Sequence, residues 1–248
     1  MKKKQMKLLT EGNSKIIKGE KKGYKTFIVH LAPYNLSGRN VCPWASKGCA
    51  SACLNTAGRG GISKGSIKMT NGLPDNNIQK ARLARTDMFF NNRRDFMKQL
   101  IHEIGLAIVR SEKKGLIPVF RLNGTSDLSW EKWGIIQFFP DYQFYDYTKS
   151  TDRMISYLSN DMPKNYHLTF SMSETNRYES ERILSEGGNV AMVFSELPDT
   201  YMGYKVVNGD DTDLRFLDPY NVIIGLKAKG KAKKDATGFV IQPAMVTV

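Results

Sequence analysis

The sequence predicts an α/β protein: a partial or closed β/α barrel of about six to eight mainly parallel strands, with a cysteine-containing loop after the first strand. Three observations predict it. Short apolar, β-branched runs alternate with segments of helical period. Each run ends in a polar cluster before the next helix. No Gly-x-Gly-x-x-Gly follows the first strand, so a dinucleotide-binding fold has no support.

Taken in order, residues 26–32 (TFIVHLA) form the first buried strand. A Gly-rich segment, 36–72, follows with little periodicity, and a loop of that length inside a domain is read as functional. Asp75, Asn76 and Asn77 can cap a helix carrying Ile78, Ala81, Ala84 and Met88. Asn91 or Asn92 caps the next, whose face is Phe96, Leu100, Ile104, Ala107 and Ile108, stopped by Gly115 and Pro118. Strand 119–122 and a short helix over 130–138 come next. The alternation continues with strand 143–147, helix 151–159, strand 166–170, helix 176–185 and strands 190–194, 205–207 and 222–225. Parallel neighbours need such crossover helices.

In parallel β/α proteins the carboxyl ends of the strands build the site. The polar clusters there nominate Asn123, Thr125, Ser126, Asp127, Asp146, Lys149, Ser171, Ser173, Glu174, Ser195 and Glu196, and a further cluster runs from Asn208 to Asp213. Taken one cluster at a time, helix capping is the commoner reason for such residues. Arg121 differs, because a charge inside a strand needs a partner such as Asp127, Asp146 or a bound anion.

The 248 residues hold 37 Lys plus Arg against 24 Asp plus Glu, a net +13. Nine of the lysines lie in 1–25 against Glu11 and Glu20, and five lie in 227–248 against Asp235. These basic ends read as solvated tails on a single 1–248 domain, with nucleic-acid contact as the competing reading. The inner segment 36–72 carries Arg39, Lys47, Arg59, Lys64 and Lys68 and no acid. A hydrophobic content of 41% excludes disorder as the main state. No apolar run reaches the roughly 18 residues of a membrane span, and no signal peptide opens the chain, so a cytoplasmic protein is expected.

All three cysteines fall in that basic loop: Cys42, Cys49 and Cys53. An odd number argues against a disulfide framework, and the spacing C-x6-C-x3-C is not that of a zinc finger. Three thiolates suit a [4Fe-4S] cluster with one iron left for another ligand, and the surrounding lysines, arginines and glycine N–H groups suit its negative charge. Trp44 would shield it from water. A zinc site completed by His30, His167 or a carboxylate, and three structural thiols, are the alternatives.

Asn13-Ser-Lys, Leu31-Ala-Pro, Cys42-Pro with Cys49 and Cys53, Gly58-Arg-Gly, the run RLNGTSD from Arg121 and GLKAKG from Gly225 resemble the phage gene product 88 family over most of the chain. That resemblance implies a viral origin, hence a host cytoplasm, and a Cys-rich loop after the first strand. Three cysteines in that position of a β/α barrel are also similar in architecture to the radical S-adenosylmethionine superfamily. The sequence departs from that pattern in cysteine spacing and in having Asn123-Gly-Thr where Gly-Gly-Glu is usual.

The expected function is therefore that of a phage-type iron-sulfur protein with a small-molecule ligand at the open iron, as a radical or Lewis-acid enzyme supplied by a reductant protein. Asp127, Lys149 and Glu174 are the candidate catalytic groups, and S-adenosylmethionine is a candidate cofactor. A non-catalytic sensing protein with a cluster or zinc and an affinity for nucleic acid is the runner-up.

Overall fold

The computed structural model describes residues 6–11, 14–61, 69–70 and 72–243. Asn13, Lys64 and Lys68 lie outside them, as do three of the nine lysines of residues 1–25, Lys2, Lys3 and Lys4.

The chain opens with β1 (Leu9–Thr10), α1 (Ser14–Glu20) and β2 (Tyr24–Val29). The cysteine segment carries a short helix, α2 (Lys47–Ser51), two 3-10 turns and a small hairpin of β3 (Met69–Thr70) and β4 (Leu73–Pro74). Two long helices follow, α3 (Asn77–Asn91) and α4 (Arg93–Glu112). The alternating region is β5 (Ile117–Arg121), β6 (Gln143–Thr148), α5 (Thr151–Leu158), β7 (Tyr166–Ser171), α6 (Arg177–Ser185) and β8 (Val190–Phe194). β9 (Thr200–Tyr201), β10 (Tyr204–Asn208), β11 (Ile223–Lys227) and β12 (Val240–Ile241) complete it.

These strands form a ten-stranded sheet of order β1-β2-β5-β6-β7-β8-β11-β10-β9, with β12 joining β8. β2, β5, β6, β7, β8, β11 and β10 pair in parallel, while β1 and β9 lie antiparallel at the two edges. Among the described residues those edges do not pair with each other, so hydrogen bonding does not close the sheet. The central strands are apolar because they are covered on both faces: Phe120, Phe144, Leu168, Phe170, Val190 and Ile223 are buried. Against them packs α4 through Phe96, Leu100, Ile104, Ala107 and Ile108, the face its periodicity predicts.

Four expectations are corrected. Residues 130–138 are not a helix: a single 3-10 turn, Trp130–Trp133, stops at Gly134, whose φ of 72° is left-handed. The buried face of α3 is not Ile78 and Ala84, which are exposed, but Gln79, Arg85, Thr86 and Phe89. The loop after β2 explains that polar face, since its carbonyls have no ladder and must find donors elsewhere. Gln79 donates to the carbonyls of Asn55 (3.0 Å) and Gly60 (2.8 Å), Arg82 donates to that of Asn55 (3.0 Å), and the Thr86 hydroxyl accepts the Ala32 N–H (2.8 Å). The basic ends, as far as they are described, are not tails. Residues 14–25 form α1 and enter β2, and residues 227–243 run from β11 through a 3-10 turn into β12. Among the described residues the strand carrying the cysteine loop is second, because the two-residue β1 precedes it.

Candidate functional site

One cavity of about 330 Å³ opens where the carboxyl ends of β5, β6, β7, β8 and β11 face the cysteine loop. Its wall contains Cys42, Cys49 and Cys53 together with Arg121, Asn123, Thr125, Ser126, Asp127, Lys149 and Ser171, all nominated by the sequence. Asp146, Ser173, Glu174, Ser195 and Glu196 do not line it.

The turn after β5 is held by Asn123. Its Oδ1 accepts from Ser126 Oγ (2.8 Å), Leu128 N (2.9 Å) and Trp130 Nε1 (3.0 Å), and its own N–H donates to Asp146 Oδ1 (2.7 Å). Asp146, fully buried under this turn, also accepts from Tyr166 OH (2.9 Å). Burial raises its pKa to about 7, against the lowering effect of the Asn123 N–H and of Arg121 and Arg153. Gly124 fits because the turn crosses β2 closely: a Cβ there would lie 2.6 Å from the Val29 carbonyl.

Asp127 is anchored rather than free. Its Oδ1 accepts from Arg153 Nη1 (2.7 Å) and its Oδ2 from the Lys149 N–H (2.8 Å). Arg153 also grips Glu131 through Nε and Nη2 (both 3.0 Å) and meets Tyr166 OH (2.9 Å). Lys149, on the backbone that Asp127 fixes, turns its ammonium to Ser171 Oγ (2.6 Å) and lies 5.8 Å from the Phe239 ring centre.

The partner of Arg121 is neither Asp127 nor Asp146 but Asp213, at 3.0 Å, with the guanidinium over the Tyr147 ring at 4.7 Å. Asp213 lies 92 residues away in sequence, so no local signal links the two. Arg121 Nε is buried and finds no acceptor.

Glu174 sits behind the cysteine loop. Its carboxylate accepts from Gly48 N (2.6 Å) and Ser46 Oγ (2.7 Å) at the start of α2, while Ser46 Oγ accepts the Cys49 N–H (3.1 Å). At Gly48 a Cβ would come within 2.7 Å of both Glu174 Oε2 and Phe239 Cβ. The helix bearing Cys49 is thus clamped between the end of β7 and the segment before β12. Ser173 bonds within its own turn to Asn176 and Thr175, and Ser195 pairs its N–H with the Ile241 carbonyl (3.0 Å). Glu196 is exposed.

Cys42 accepts the Tyr34 N–H at 3.4 Å and faces the Thr125 carbonyl at 3.7 Å. Burial pushes its thiol up to about 12 against that N–H, and the charges of Cys53, Asp127 and Cys49 push the same way. Burial raises Cys53 too, opposed by the Asn55 N–H, Arg82 and Lys149. Thiols held up in this way are poor nucleophiles, whereas a coordinated thiol is deprotonated outright. Among the described residues no three His, Cys, Asp or Glu side chains converge tightly enough for a single metal ion. His30 and His167, offered above to complete a zinc site, do not line the cavity and bond to Thr10 (2.8 Å) and Tyr157 (3.0 Å). Trp44 is not a shield: it is 48% exposed and stands outside the cavity wall.

Fold and cavity together define an α/β protein in which one loop delivers three cysteines to the carboxyl ends of a mostly parallel sheet. Residues 7–243 match the family described as Gene product 88, and the chain belongs to that family. The match lends no support to the looser similarity with the radical S-adenosylmethionine superfamily. No curated protein and no solved structure matches the chain. Among the described residues no helix is long and apolar enough to cross a membrane.

Proposed function

We propose that this chain is a phage-type iron-sulfur protein that holds a [4Fe-4S] cluster through Cys42, Cys49 and Cys53, with the remaining iron open to the cavity. The observation that carries the reading is that three thiols from one loop line a single cavity. A [4Fe-4S] cluster takes one thiolate on each of three irons. Arg82 and Lys149, whose charges act on Cys53, suit the negative charge of such a group. The strand order β2-β5-β6-β7-β8-β11 rises with chain order, as it does in a partial β/α barrel.

When bound, the group would supply Lewis-acid or one-electron chemistry at its open iron. The chain's own residues do the rest. Lys149 presents a proton at Nζ to the cavity, Asp127 holds the backbone of Lys149, and Glu174 fixes the helix that carries Cys49. Asp127 and Glu174, expected as catalytic groups, act in this reading as positioning residues.

Anaerobic purification with iron, sulfide and zinc analysis tests the proposal, together with electron paramagnetic resonance after reduction. About four irons and four sulfides per chain are expected, lost on changing any one of the three cysteines to serine. A colourless protein carrying one zinc, or no metal after anaerobic reconstitution, overturns it.

A further inference from the structure

The charges around the cavity do not cancel. Three carboxylates face it, and each already has its partner: Asp127 with Arg153 (2.7 Å), Asp213 with Arg121 (3.0 Å), and Asp210 with Lys229 (2.7 Å). The cations on the wall are Arg121, Lys149, Lys227 and Lys229. Once Arg121 and Lys229 are paired, Lys149 and Lys227 remain without a carboxylate among the described ion pairs. Lys149 is the deeper of the two: it is half-buried, and its ammonium donates to a neutral hydroxyl, Ser171 Oγ. Arg121 engages Asp213 through Nη1, leaving its buried Nε without an acceptor, and Asn55 Nδ2, on the same wall, is buried and unmet as well. Unmet polar atoms among the cavity-lining side chains are thus donors. Those two atoms are closed off from solvent, so the surplus a ligand would meet is the positive charge of Lys149 and Lys227.

A bound cluster does not use up that surplus. With three thiolates, an oxidised cluster carries a single net negative charge. Arg82, which acts on Cys53 and has no carboxylate partner among the described ion pairs, already answers it. Another part of the wall, formed by Val193, Leu226, Ala232 and Phe239, is apolar. A volume of about 330 Å³ lies at the small end of ligand pockets.

We infer that the cavity binds a small organic anion, a carboxylate or phosphate ester, with its charged end between Lys149 and Arg121 and its carbon body against Val193, Leu226 and Phe239. The inference deepens the cluster proposal and rests on it only for what the ligand's other end would face.

The test is isothermal titration of the full chain with malonate, with inorganic phosphate and, as a cationic counterpart, with butylammonium. Iron and sulfide are assayed on the same samples. Saturable binding of malonate or phosphate is expected, with no binding of butylammonium. Lys149→Gln should weaken it at least about tenfold, because a charge-assisted contact is lost. Arg121→Lys keeps the pairing with Asp213 but not the planar fork, and should weaken it several-fold. Lys113→Gln, an exposed change at the end of α4, should leave it unaltered. The ratio of malonate to phosphate affinity tells carboxylate from phosphate recognition. Absence of saturable anion binding, equal binding of butylammonium, or an unchanged affinity in both Lys149→Gln and Arg121→Lys overturns the inference. Anion binding by a protein that takes up no iron on anaerobic reconstitution would sink the cluster and leave this inference standing; an intact cluster with no anion binding would do the reverse.

Discussion

Replacing Glu174 by alanine should loosen the cysteine loop and leave the sheet intact. Helix α2 has five residues, too few to be stable alone, so contacts from outside must hold it. Two of these come from one carboxylate: Glu174 accepts from Gly48 N at 2.6 Å and from Ser46 Oγ at 2.7 Å, and Ser46 in turn caps the Cys49 N–H. Hydrogen bonds to a charged group contribute about 1.5 to 3 kcal/mol each, and Glu174 is partly exposed, so the low figure applies to both. Their loss costs about 3 kcal/mol, which raises the open population of the loop about a hundredfold. Glu174→Gln keeps one acceptor and should produce about a tenfold rise. Hydrogen exchange followed by mass spectrometry on peptides covering 46–53, with β7 as internal reference, measures this directly. Unchanged exchange in 46–53, or equal acceleration in β7, would refute the idea that Glu174 positions this loop.

Three further outcomes follow from the same geometry. Arg153→Met strands Asp127 and Glu131 in the interior and should cost about 3 to 5 kcal/mol, a fall in Tm of roughly 10 °C by calorimetry; a fall under about 3 °C contradicts the network described. Gly124→Ala forces a Cβ against the Val29 carbonyl and the Ile28 side chain, with an expected loss of about 1 to 3 kcal/mol in urea titration, and an unaltered midpoint would count against that close crossing. Burial, helped by Arg215, lowers the pKa of His167 from 6.5 to about 4. Its contribution to stability is therefore present above pH 6.5 and lost as pH falls through 4, so wild type should lose up to about 3 kcal/mol relative to His167→Gln over that window. A difference that does not vary with pH would show that the ring is not held neutral.

Buried strands were readable because both faces of the sheet are covered, which writes continuous apolar runs into the chain; β8 occupies the very residues, Val190–Phe194, that its apolar run predicts. The face of α4 was readable for the same reason. Helix α3 was not, since its inner face serves the carbonyls of a loop and is built from Gln79, Arg82, Arg85 and Thr86. A two-residue strand such as β1, β9 or β12 is too short to have a period. Gly134, visible in the sequence, marks the end of the turn after Trp130 and was the signal against a helix there.

The site was legible as far as one rule reaches: parallel strands point their carboxyl ends the same way, so the polar clusters after β5, β6, β7 and β10 meet. It fails after β8 because β12 pairs with Val193 and Phe194 and draws Ser195 into a backbone bond with Ile241. Pairings between distant segments, Arg121 with Asp213 and Glu174 with Gly48, carry no local sequence mark.

Charge is where the sequence misled most, and the reason is physical. A run of lysines looks the same whether it is solvated or built into a fold, because a long amphipathic side chain can lie along a surface with its ammonium out. Here the two basic ends come together: Lys18 of α1 donates to the Asp210 carbonyl at 3.2 Å, and Lys229 pairs with the Asp210 carboxylate at 2.7 Å. Lys25 is held between Glu11 and Glu20. Asp210 and Lys229 also line the cavity, so part of the terminal charge belongs to the candidate site itself. The surplus of positive charge that first suggests nucleic acid is, at these positions, a property of the fold and of a small cavity suited to an anion.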